Sequence, residues 1–364
     1  MATGNKTSKR LAYLDWLRGL AAIMMINGHV FHSFTHSDYR QGSLYVLTQF
    51  VGGMPPAVFL FLLGVTLAFL MESRLRQGLD APQRVKAAVK RAGFLFGVAF
   101  AFRLQLWLVG LPQTHWTDLF RVDILNAMGL AVLCLSPLAA LSSAARIRAG
   151  LAIGLAVAFL SPVVSWLNWS WLPKPLAAYF VPSAEAFAFF PWAAFVAFGL
   201  SAGSILRMVQ QEQTERLMRW AALSGLALIL GARYLSELPY SLYPASDFWL
   251  NAPWLILIKL GVILLALSAA YLWTEYGASP GWSWVRQFGA TSLLVYWVHT
   301  ELVYGRWLYF WKESLSPVQC VVVSVFVILL MLGLSLLKTN WRRVAEAASS
   351  LLPRYYLPSQ SSGD

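Results

Sequence analysis

The feature that most constrains this chain is a succession of apolar windows, each about as long as a bilayer is thick and separated from the next by a short polar piece. They run roughly over 17–34, 47–71, 92–111, 121–141, 149–167, 184–206, 219–235, 252–273, 288–304 and 318–337. Only helices and closed barrels satisfy their backbone polar groups in lipid, and these windows are about twice the length of a barrel strand. The expected fold is therefore an all-α membrane protein, a polytopic bundle of about ten transmembrane helices. Composition agrees: 58% of the 364 residues are hydrophobic and 12% charged, too apolar for soluble domains.

Charge sets the expected orientation. Lys6, Lys9 and Arg10, the stretch from Arg74 to Arg91, Arg146 and Arg148, Arg207 to Arg219, Arg286, and Lys338 to Arg354 alternate onto one side of such a bundle. Cytoplasmic loops are rich in Lys and Arg, which predicts N and C termini in the cytoplasm. The opposite connections hold fewer cations and more Trp, Tyr and Pro, as in 168–180 and 233–251. Topology thus accounts for the net charge of +12, and no nucleic-acid partner is expected. Cys134 and Cys320 lie far apart inside apolar runs, the pattern of packed thiols rather than of a disulfide or a metal site. The N-terminal segment has no small-residue cleavage site and is expected to be retained. Residues 1–352 read as a single transmembrane domain, without internal repeat, and 353–364 as a polar cytoplasmic tail. A homodimer is left open.

Ionisable residues are expensive inside a bilayer and therefore informative. The first expected helix, taken with the turns that flank its window, carries Asp15, Arg18, His29, His32 and His36. Arg18 and His29, eleven positions apart, fall only about 20° apart around a helix axis and roughly 16 Å apart along it. His32 and His36 continue the same face. Such a polar track must face other helices or a water-filled cavity, since facing lipid would cost several kcal/mol per charge. A neutral imidazole there is a competent general base, and His29 is the first candidate. Asp15 and His32 read equally well as interfacial residues.

In the ninth window His299 shares a face with Ser292 and Tyr296, while Glu301 points elsewhere. Asp123 and Asn126, one turn apart, suit an acceptor hydroxyl or helix-to-helix hydrogen bonds. Arg103 is too deep to snorkel and calls for a partner such as Asp123, whereas Lys259 reads as a snorkeller.

The segment from Tyr13 to Leu20, with Arg18 and then His29, resembles the start of the transmembrane acyltransferase superfamily, and an Arg, ten residues and a His is the signature of its acyltransferase family three. Gly52-Gly53, Pro56 and Phe59 to Gly64 are similar to the second helix of the heparan-α-glucosaminide N-acetyltransferase branch, as is the run from Gly289 to His299. Arg121 to Asn126, and Phe190-Pro191-Trp192 with Gly199 and Gly203, follow in the family's order.

The resemblance implies transfer of an acyl group, acetyl in the first instance, from cytoplasmic acyl-CoA to a hydroxyl or amine of an extracytoplasmic carbohydrate or glycan, with no metal. The lipid bilayer, acyl-CoA and the glycan acceptor are the expected partners, and the bacterial cytoplasmic (inner) membrane the expected location. Carried over by position, Arg18 and His29 match the family-three Arg and His. The heparan branch places its His in the first outer loop, where this chain has His32 and His36. It also carries a Gln-Arg pair where this chain has Asn126-Ala127. Catalytic candidates are thus His29, Arg18, His36 and His299, and candidates for substrate contact are Asp15, His32, Arg103, Asp123, Asn126, Ser292 and Tyr296. The cluster Arg74, Arg76, Arg84, Lys86, Lys90 and Arg91 offers phosphate contacts to CoA.

Two other classes compete. A transporter or flippase would use the same polar track without acyl transfer, and a metalloenzyme would use His29, His32 and His36 on one face.

Overall fold

The structure, a computed structural model, describes residues 11–184, 186–277 and 281–341. Lys6, Lys9, Arg10 and the expected tail at 353–364 lie outside the described residues. Thirteen α-helices occur among those described: α1 Ala12–Phe34, α2 Ser43–Gly52, α3 Met54–Arg76, α4 Ala81–Gly110, α5 Ile124–Leu135, α6 Ser143–Trp166, α7 Lys174–Ala177, α8 Phe189–Met208, α9 Thr214–Ser236, α10 Pro253–Leu272, α11 Trp284–Ala290, α12 Ser292–Tyr304 and α13 Pro317–Thr339. The only β feature among these residues is an isolated parallel bridge between Thr35 and Leu315.

Local chemistry starts these helices where they start. Asp80 caps α4 by accepting from Gln83 N at 2.9 Å, and Pro82 occupies its first turn, where a missing N–H is harmless. Asp123 and Asn126 form a capping box at α5, and Ser316 and Gln319 do the same at α13.

Contacts between helix termini define two ends of the bundle. At the near end, where α1 begins, the Tyr13 and Tyr271 rings meet edge to face at 5.6 Å. Ser143 Oγ donates to Glu72 Oε2 there at 2.7 Å, and Arg84 donates to Ala140 O at 3.1 Å. At the far end Thr35 pairs with Leu315, and Trp166 Nε1 donates to Ala245 O at 2.8 Å.

Helix α1 runs through the middle, packed on α2, α3, α10, α11, α12 and α13. Its approach to α11 requires glycine on both sides: a Cβ on Gly19 would overlap Val285 O, and one on Gly289 would overlap Asp15 O. The α3–α8 seam repeats the device, with Gly64 against Val196 O and Gly199 against Phe61 O. Small residues that let backbones meet are a recurrent basis of helix association in lipid.

The outward faces are apolar. Val318 on α13 is 74% exposed and Leu230 on α9 61%, the pattern of side chains turned toward acyl tails. Among the described residues seven segments are long and apolar enough to cross a membrane: Tyr45–Arg76, Ala81–Gly110, Trp116–Ala140, Ser143–Trp166, Phe189–Met208, Pro253–Gly277 and Pro317–Thr339. The protein is an integral membrane protein. The other three expected windows coincide with α1, α9 and α12. Charges dilute the hydropathy of α1 and α9, and a break at Thr291 leaves α12 with 13 residues.

Candidate functional site

A cavity of about 2280 Å³ lies inside the bundle. Pockets for one small ligand usually measure about 300–1,000 Å³, so this one has room for two reactants. Arg18, Arg91 and Lys338 stand on its wall toward the near end, and Arg40, Arg121 and Lys312 toward the far end. Arg18 and His29 both face this cavity, as their helical spacing predicts.

His29 sits five residues before the far terminus of α1, beside a tight crossing. A Cβ on Gly28 would come within 2.9 Å of Gly52 Cα, so α1 and the α2–α3 break nearly touch there. Across from His29, α12 supplies His299, and the two rings stack at 5.0 Å with 15° between their planes. His29 Nδ1 lies 2.9 Å from His299 Nε2. His299 is fully buried behind His29 and off the cavity wall.

The proton positions follow from the partners. His299 Nδ1 is 2.5 Å from Val295 O, and a carbonyl only accepts, so His299 carries its proton on Nδ1. Its Nε2 is then the acceptor, and His29 Nδ1–H donates to it. The remaining His29 nitrogen, Nε2, keeps its lone pair. Tyr304, whose ring packs edge-on against His29 at 5.0 Å, also places its hydroxyl 3.3 Å from His32 Nδ1. His32 shares the cavity wall. His36 lies past the end of α1, near Asp38 at 3.4 Å and off the cavity wall, so the three-imidazole face expected for a metal does not form. Lys312, in the far loop, has its ammonium over the Tyr304 ring at 5.4 Å, and burial holds its pKa below the usual lysine value.

A second polar group faces the cavity from α4 and α5. Arg103 Nε stands 3.2 Å from Asp123 Oδ2, an ion pair of the expected partners, although neither atom is in hydrogen-bond geometry. Asp123 Oδ1 accepts from Leu125 N and Asn126 N, so half of its carboxylate is spent on the helix cap. Of the two roles open to Asn126, the hydrogen bonds fit helix lacing. The side chain is buried off the wall, its Oδ1 accepting from Asp123 N and its Nδ2 donating to Tyr179 Oη.

Asp15 is likewise off the wall, and pairs with Arg18 at 2.8 Å. Ser292 and Tyr296 do line the cavity, and Tyr296 packs against Phe102 at 5.4 Å. Of the expected basic cluster only Arg91 reaches the cavity. Arg76 pairs with Glu72 at 3.2 Å, and Arg84 is buried against Ala140 O.

Sequence reasoning missed Tyr304, Gln105 and Trp297. Gln105 Nε2 donates to Glu301 Oε2 at 3.3 Å, and Trp297 Nε1 donates to Gln105 Oε1. Tyr304, Trp297 and Glu301 line the cavity, and Gln105 stands off the wall, bonded to the last two. Lys259 is a correction. Instead of snorkelling to the membrane surface it lines the cavity, donating to Gly53 O at 3.3 Å with its ammonium 5.1 Å from the Trp192 ring centre.

Fold and site together define a helical membrane protein with a stacked imidazole pair, one ring buried and the other on the wall, at a large internal cavity. Residues 10–236 match the family described as "Heparan-alpha-glucosaminide N-acetyltransferase, catalytic", which is more than half of the chain, and the chain belongs to that family. The family points to a membrane acetyltransferase acting on glycans. A comparison with curated proteins returns no match. The matched region holds α1 to α9 and thus His29, while His299 lies beyond it.

Proposed function

We propose that this protein transfers an acyl group, acetyl in the first instance, from acyl-CoA bound at the near end to a hydroxyl or amine of a carbohydrate bound at the far end. His29 is the general base. The observation that carries this reading is the His29–His299 pair on a cavity whose wall extends toward both ends of the bundle. Positive charge supports a cytoplasmic near end: Arg74, Lys86, Lys90, Arg148 and Arg286 all lie in the near parts of their helices. Counting α1, α9 and the α11–α12 pair as crossings gives ten spans and both termini inside, in a bacterial cytoplasmic membrane.

Each step follows from the proton assignment. His29 Nε2 takes the proton of the acceptor O–H or N–H as that atom attacks the thioester carbonyl. The imidazolium so formed keeps its Nδ1–H on His299 Nε2, a neutral acceptor that holds the ring's orientation and tautomer, the positioning part of what the carboxylate does in a Ser-His-Asp triad. The tetrahedral adduct collapses, the C–S bond breaks, and His29 returns its proton to the CoA thiolate. The products are the acylated carbohydrate and CoA-SH. Arg18, held by Asp15, and Arg91 and Lys338 offer cations to the donor's phosphates. Tyr296 and Ser292 are the hydroxyls placed for the oxyanion. The Arg18-to-His29 spacing of acyltransferase family three thus receives a physical sense: donor grip and base lie on one face of one helix.

A cavity lined toward both ends also suits permeation, so the test must separate the two. Membranes with and without the protein are given labelled acetyl-CoA, and the envelope carbohydrate fraction is examined for label. Transfer that disappears with His29→Ala while CoA binding persists supports the enzyme. Transport of a glycan with no labelled product, or full transfer by His29→Ala alongside a dead His36→Ala, sinks His29 as the base.

A further inference from the structure

Three cations on the cavity wall have carboxylate partners. Arg18 faces Asp15 at 2.8 Å, Arg103 faces Asp123 at 3.2 Å, and Arg40 faces Glu313 at 3.1 Å. Lys259 has no carboxylate among the described residues. Its neighbours are the Gly53 carbonyl at 3.3 Å and the Trp192 ring at 5.1 Å. One of its three N–H groups is therefore occupied by a neutral acceptor, and the cavity is open to the rest.

The depth of Lys259 is informative. It lies six positions into α10, roughly 9 Å from the far terminus of that helix, and His29 lies five positions, roughly 7.5 Å, from the far terminus of α1. The Gly28–Gly52 contact ties these two walls together, because Gly53 follows Gly52 directly. A group held by Lys259 therefore sits at the level of the base. It is also distant from Arg91 and Lys338, the cations available to the donor at the near end. Around Lys259 the far half of the cavity is aromatic, with Trp192, Phe187 and Trp249 on the wall. An ammonium beside aromatic faces, with no anion of its own, is suited to a ring bearing a negative substituent.

We propose that Lys259 is an anion subsite for the acceptor, taking a carboxylate or phosphate carried by the carbohydrate whose hydroxyl or amine His29 activates. This assignment rests on the acyl-transfer reading for its meaning but not for its test. A uronate on the sugar and a phosphate joining the glycan to a lipid carrier present the same anionic oxygens.

The test reads binding without turnover. Methyl glucuronide and methyl glucoside are titrated onto the full chain in phosphatidylcholine nanodiscs, followed by saturation-transfer NMR with no acyl donor present. The glucuronide is expected to bind at least tenfold more tightly. Lys259→Met should make the two sugars equal, and Lys259→Arg should keep the preference, which separates loss of charge from loss of the Gly53 contact. Equal binding by the wild type, or a preference that survives in Lys259→Met, overturns the proposal. Adding phosphatidic acid to the nanodiscs distinguishes the sources: displacement of glucuronide supports a lipid phosphate, and its persistence supports a sugar carboxylate. A charge preference with no acyl transfer in any membrane assay would leave the subsite standing and remove the enzyme, whereas transfer without the preference would do the reverse.

Discussion

His29 has two ring nitrogens, and the backbone of α12 decides between them. Because Val295 O can only accept, the proton order is fixed through His299 to His29, and the lone pair is left on His29 Nε2. His29→Ala should lower transfer by roughly 10²–10⁴-fold, the span usual for a general base, with CoA affinity held. His299 touches neither reactant and acts by positioning. His299→Phe should therefore lower kcat by about 10–100-fold with little change in KM, and His299→Gln, whose amide oxygen still accepts from His29 Nδ1–H, should recover part of the loss. Equal damage from Phe and Gln would mean that His299 matters only as packing. Much of this scale is legible in the sequence. Helical arithmetic aligns Arg18 with His29, and the depth of Arg103 calls for Asp123. Other roles depend on neighbours distant in the chain. Tyr304 has no signal of its own in the sequence until α1 brings His29 and His32 to it, and Lys259 reads as a snorkeller until Trp192 and the Gly53 carbonyl close around it.

At the scale of the helices, the near end is held by Glu72. Its carboxylate accepts from Ser143 at 2.7 Å, pairs with Arg76 at 3.2 Å, and stands 3.7 Å from the fully buried Arg146. Removing it strands Arg146, which in turn holds the carbonyls of Leu138 and Leu141. Glu72→Ala should destabilise the protein by about 3–5 kcal/mol, the usual consequence of leaving a buried charge unpaired, seen as a lower melting temperature in detergent. An unchanged melting temperature would mean that water has replaced the carboxylate. The glycine seams make a separate prediction. Gly199→Leu should force α8 off α3 and cost at least the 1–3 kcal/mol typical of overpacking, while Gly231, with open space around its Cβ position, should accept Ala without loss. Helix number and type are readable from apolar length. The breaks at Gly53 and Thr291 are hidden inside continuous apolar windows, because hydropathy reports what a segment dissolves in and not whether its axis bends.

For the molecule as a whole, the decisive quantity is which end of the cavity each reactant enters. Acyl-CoA carries several negative charges and cannot cross lipid, and a glycan acceptor cannot either, so a wall reaching toward both ends has chemical meaning only if the ends face different compartments. Orientation can be measured in a background of Cys134→Ala and Cys320→Ala, the two free thiols of the described chain. Lys174→Cys, exposed in the far connection after α6, should react with a membrane-impermeant maleimide in intact cells. Lys86→Cys, exposed on the near part of α4, should react only after permeabilisation. Lys338→Cys lies on the near wall of the cavity, so saturating acetyl-CoA should slow its labelling at least tenfold and leave Lys174→Cys untouched. Labelling of Lys86→Cys from outside would invert the bundle and put the donor grip in the wrong compartment. Unprotected Lys338→Cys in a correctly oriented protein would instead move the donor off the Arg18 wall, while leaving the His29–His299 pair in place.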